Sequence, residues 1–65
     1  MSEEERQDWL RMKRTLEDYL PILERQIIEF AADGDEQEHD FLIKKAIEYR
    51  NTVAAINRLL NEDKS

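Results

Sequence analysis

The sequence predicts an all-α fold, an antiparallel two-helix hairpin, and three observations carry that prediction. Apolar residues recur at heptad spacing in two separate stretches. The one glycine falls between those stretches, in Ala32-Asp33-Gly34-Asp35. The composition is that of long exposed helices, with 40% charged and 40% hydrophobic residues and one proline. Strands are not expected. At 65 residues the chain is one domain, read as a helix over about 3–32, a turn at 33–35 and a helix over about 36–61.

Ser2-Glu3-Glu4-Glu5 starts the first helix. Ser2 can accept a backbone N–H, Glu5 can reach back as the other half of a capping box, and the three glutamates suit the positive end of the helix dipole. Trp9, Leu16, Leu23 and Phe30 then recur every seven residues, with Met12, Tyr19 or Leu20, and Ile27 filling the half-heptad positions. Pro21 lacks an N–H and its ring presses on the Glu17 carbonyl, which costs about 3 kcal/mol in a straight helix. Either the helix kinks and continues, or it ends near Leu20 and a short helix starts at Pro21. Leu16, Leu20, Leu23, Ile27 and Phe30 keep helical phase across the proline, which favours the kinked continuous helix.

Gly34 can take the left-handed conformation that closes this helix, and Asp35 with Glu38 repeats the capping pattern for the next. In the second helix Leu42, Ala46, Tyr49, Val53, Ile56 and Leu60 alternate spacings of four and three, the seam that packs along a partner helix. At about 1.5 Å per residue each arm reaches about 40 to 45 Å, so the turn sets the two antiparallel along nearly their full length. Asn61-Glu62-Asp63-Lys64-Ser65 reads as a polar fray.

Seam and flank together exceed what one helix pair buries. Ile22, Ile28, Phe41, Ile43 and Ile47 are surplus to the contact, and Trp9, near a helix end, suits an anchor in a partner's groove. These six residues are the expected partner-binding set. The surplus predicts either a homodimer closing a four-helix bundle or docking on another helical protein.

Several chemistries are disfavoured. No cysteine is present, which removes disulfides and thiolate zinc sites and suits a reducing compartment. The hydroxyls Ser2, Thr15, Thr52 and Ser65 have no histidine near them in sequence, and two packed helices offer no deep pocket, so no enzyme activity and no small-molecule substrate are expected. Glu36-Gln37-Glu38-His39 contains the Glu-x-x-His step of di-iron bundles, but in the first turn rather than mid-bundle. Asp33-Gly34-Asp35-Glu36 lacks the twelve-residue calcium-loop pattern. Neither a metal nor a cofactor is expected. The net charge of -6 argues against a nucleic-acid partner, and Arg11, Lys13 and Arg14 lie among Asp8, Glu17 and Asp18 as a salt-bridged helix face. With an acidic start and no 18-residue apolar run, the protein reads as cytoplasmic, with no membrane partner.

The two long helices, the turn at Asp33-Gly34-Asp35, the Phe41-Leu42 step and the small-residue stretch Val53-Ala54-Ala55-Ile56 resemble the small co-chaperones of type III secretion needle subunits. The resemblance spans about Leu16 to Asp63. It implies a hairpin that pairs with a larger tetratricopeptide-like chaperone and helps keep a needle protein unpolymerised. The size and hairpin plan are also similar to the dimeric copy-number regulators of the Rop type, without the basic, aromatic-bearing face their RNA binding needs. The leading expectation is thus a non-catalytic interaction module, most specifically a secretion co-chaperone. The alternative is a homodimeric four-helix-bundle regulator or an acidic inhibitor of a nucleic-acid-binding protein.

Overall fold

A computed structural model describes residues 1–63 as two antiparallel helices, α1 (Glu3–Asp33) and α2 (Glu36–Asp63), packed along one another. The rod they form measures 47 × 15 × 12 Å. Among the described residues there is no strand, and no helix is long and apolar enough to cross a membrane.

Ser2 and Asp35 cap the two helix starts, the first half of the predicted capping box, whereas the return bond to Glu38 is not made because the Asp35 N–H is taken by the Phe30 carbonyl. The Ser2 hydroxyl accepts the Glu5 N–H at 3.2 Å, and the Asp35 carboxylate accepts the Glu38 N–H at 3.3 Å. At the turn Gly34 adopts φ 78°, and two bonds close the last turn of α1: Gly34 N–H to the Ala31 carbonyl at 3.3 Å and Asp35 N–H to the Phe30 carbonyl at 3.1 Å. This six-to-one and five-to-two pairing satisfies carbonyls that the helix end would otherwise orphan. Glycine serves here because the left-handed backbone costs a side-chain-bearing residue about 1 to 2 kcal/mol.

The helix does not break at Leu20, since α1 runs unbroken through Pro21. Pro21 is exposed, and it stands two residues, about 200° around the helix, from the buried Leu23. Its missing hydrogen bond therefore opens towards water, where the orphaned carbonyl can be solvated.

The core follows the seams. Leu23, Leu42 and Ala46 are buried together, with Leu20, Ile27, Phe30 and Tyr49 packed against them, and Ile56 and Leu60 are buried nearer the chain ends. The α2 seam is as its spacing predicts, since Tyr49 and Val53 are half-buried and its other four members are buried. In α1 the second row is Leu20 and Ile27, continued back by Lys13, which is half-buried and sets its ammonium 3.6 Å from Glu17. Met12 and Tyr19 are instead exposed. Periodicity alone counts the Lys13 position as polar, yet its aliphatic stem can line an apolar seam while the ammonium reaches water.

At the open end Arg6 and the Met1 ammonium both pair with Asp63, at 3.8 and 3.2 Å. Residues 61–63, expected to fray, are accordingly the last turn of α2. The rest of that expected fray, Lys64 and Ser65, lies outside the described residues.

Candidate association face

Two packed helices have two long sides, and here they differ in chemistry. On one side Arg50 donates to the Glu24 carboxylate, the side-chain hydrogen bond that joins the two arms at mid-length. Tyr19 and Ile22 stand five and two residues before Glu24, and Thr52 stands two after Arg50. At about 100° per residue these three project away from the ion pair, onto the opposite side. The grooves of the hairpin agree. Tyr49 shares one groove with Thr15, Tyr19 and Ile22, and Trp9 shares another with Thr52, Ala55 and Leu59.

That second side is an apolar stripe. Trp9, Met12, Tyr19, Ile22, Phe41 and Leu59 lie along it, and all but the half-buried Trp9 are exposed. Tyr19 meets Tyr49 with ring centroids 5.9 Å apart and planes at 50°, a tilted pairing that holds the Tyr19 ring against the stripe. Phe41 and Leu59 are eighteen residues apart, five full helical turns, so they project in the same direction. The Lys45 ammonium lies 5.5 Å from the Phe41 ring centroid and 3.6 Å from Glu48, the charged pair interrupting the stripe between Phe41 and the middle of α2.

Of the six residues expected to bind a partner, the structure brings Trp9, Ile22 and Phe41 to this side. Ile28 stands about 120° around α1 from Ile22, and at 70% exposed it faces outward. Ile43, half-buried, lies seven residues before Arg50 and so shares the ion-paired side, while Ile47 is 50% exposed near the outer edge of α2. Met12, Tyr19 and Leu59 complete the stripe without having been expected there. The signal for Met12 and Tyr19 was present: Met12, Thr15, Tyr19 and Ile22 follow a second three-and-four spacing that runs beside the seam.

No family model, curated protein or solved structure matches the chain. The reading therefore rests on the side chains themselves. The grooves along the stripe are open troughs, the larger of about 520 Å³ floored by Ile56 and walled by Trp9 and Leu59. Among the described residues, no buried side-chain polar atom lacks a partner and no group of three or more histidine or acidic side chains is placed to hold a metal ion. What such a surface can do is exclude water against another apolar surface.

Charge is as unevenly placed as apolar area. Residues 26–43, the turn and the helix ends beside it, contain six carboxylates and no lysine or arginine, and the rest of the chain balances ten acidic against ten basic residues. The entire formal charge of -6 thus belongs to the tip of the hairpin.

Proposed function

We propose that this chain is a non-catalytic association module that docks through the side of the hairpin carrying Tyr19, Ile22 and Phe41. One observation carries the reading: five exposed large apolar residues, Met12, Tyr19, Ile22, Phe41 and Leu59, gather on the side free of the Glu24–Arg50 bridge, along most of the rod. A helical partner suits that shape. A long, shallow, apolar trough between two helices accepts the ridge of side chains on another helix, as bundles do. The lack of cysteine suits a reducing compartment, and we place the module in the cytosol. The secretion co-chaperone role draws on the hairpin plan, which any helix-association module shares, and the general role is the one this surface supports.

The test is photo-crosslinking in the native cell from a benzoylphenylalanine placed at Ile22, with Ile28 as the control on the outer face. The reading expects protein adducts from position 22 and few from position 28. Adducts from neither position, or equally from both, would reject it.

A further inference from the structure

We infer that the partner of the apolar side is a second copy of this chain, stacked face to face with the two turns at opposite ends, so that Phe41 of each copy seats in the Trp9–Leu59 trough of the other. This inference rests on the association reading above and names its partner.

The first support is area. The chain exposes 5145 Å², whereas a compact monomer of its 7.8 kDa exposes about 4,400 Å² by the usual size scaling. The excess is close to the roughly 800 Å² that each partner contributes to a standard stable interface. Covering one broad side of the rod with an identical side would bring each chain to the exposure expected of a subunit its size.

The second is self-complementarity. An isologous interface needs every protrusion matched by a recess at the same distance on the other side of the two-fold axis. Tyr19 packs on Tyr49 near the middle of the rod, one residue from position 50, the midpoint between Phe41 and Leu59, and the axis is placed at that level on α2. Phe41, 54% exposed, lies nine residues to one side of that level and Leu59 nine to the other, each about 13.5 Å along the helix. A two-fold axis crossing the rod there lays α1 on α1 and α2 on α2, antiparallel. Tyr19 then meets Tyr19, Phe41 meets Leu59 beside Trp9, and Lys45 meets Ala55, whose methyl leaves room for the lysine stem. The trough of about 520 Å³ is ample for a phenyl ring.

Charge selects this orientation over the one with turns together. Each tip carries the six carboxylates of residues 26–43 with no lysine or arginine among them. Turns apart, two such tips stand at opposite ends of a rod 47 Å long, several times the Debye length of about 8 to 10 Å in physiological salt. Turns together would hold them in contact.

The experiment uses sedimentation of the whole chain at micromolar concentration, joined to single-cysteine variants of this cysteine-free sequence. The expected mass is twice 7.8 kDa. Phe41→Ala, with helicity checked by circular dichroism, should weaken dimerisation at least about thirtyfold, because an aromatic anchor seated in a trough is lost twice per dimer. Under mild oxidation Tyr19→Cys should give a disulfide-linked dimer, since the axis brings its two copies together, and Ile28→Cys should not. A chain that sediments as a 7.8 kDa monomer overturns the inference, as does a dimer indifferent to Phe41→Ala or one crosslinked through position 28 rather than 19. Adducts of a different protein from position 22, with the pure chain monomeric, would sink the second copy and leave the association reading standing.

Discussion

Arg50 and Glu24 are joined across the hairpin at mid-length, and their bond marks the side of the rod that is closed. Both side chains are more than half exposed, so the pair is screened and its stabilisation is under about 1 kcal/mol. We expect Arg50→Met to lower the urea midpoint slightly in dilute buffer and less in high salt, at one fixed protein concentration. A loss of several kcal/mol that ignores salt would show the bridge to be a structural keystone.

Leu23 is 2% exposed and packs with Leu42 and Ala46 at the centre of the contact. Leu23→Ala removes buried methyl groups and opens a cavity, a cost of about 2 to 5 kcal/mol. In a chain this small that loss should abolish cooperative unfolding at room temperature. Ile28→Ala, on the outer face, should stay within about 0.5 kcal/mol of wild type. Equal effects at the two positions would mean that the seam is misplaced.

Gly34 holds φ 78°, and a Cβ there would meet nothing within 4 Å. The penalty of Gly34→Ala is therefore purely conformational, about 1 kcal/mol, and Gly34→Asn should cost less because asparagine tolerates the left-handed region. Thermal melts of the three proteins give the order glycine, asparagine, alanine. An alanine variant as stable as wild type would show that the turn has another route.

Pro21 sits exposed within a continuous helix and contributes no hydrogen bond. Replacing it by alanine restores the bond to Glu17 and relieves the ring's contact with that carbonyl. Pro21→Ala should raise the melting temperature, with a gain of about 1 to 3 kcal/mol. A fall in melting temperature would instead reveal a bend that the packing requires.

The seams, the caps and the turn were legible in the sequence because each depends on neighbours within a few residues. Leu42 to Leu60 repeats at helical period, Ser2 and Asp35 each cap an N–H three residues on, and Gly34 closes α1 without help from elsewhere. The continuity of α1 through Pro21 was likewise foreshadowed by the unbroken phase of Leu16 to Phe30. What the tertiary structure decided was the sidedness of the surplus. Ile22, Ile28, Ile43 and Ile47 are equivalent in composition, and only the rotation of each helix about its axis says which share a side. That rotation is set by a seam whose second row holds Leu20 and the half-buried Lys13 and leaves Tyr19 and Met12 exposed. A shift of one position turns a helix by about 100°, and here it turned Met12 and Tyr19 out of the core and onto the stripe with Ile22, Phe41 and Leu59.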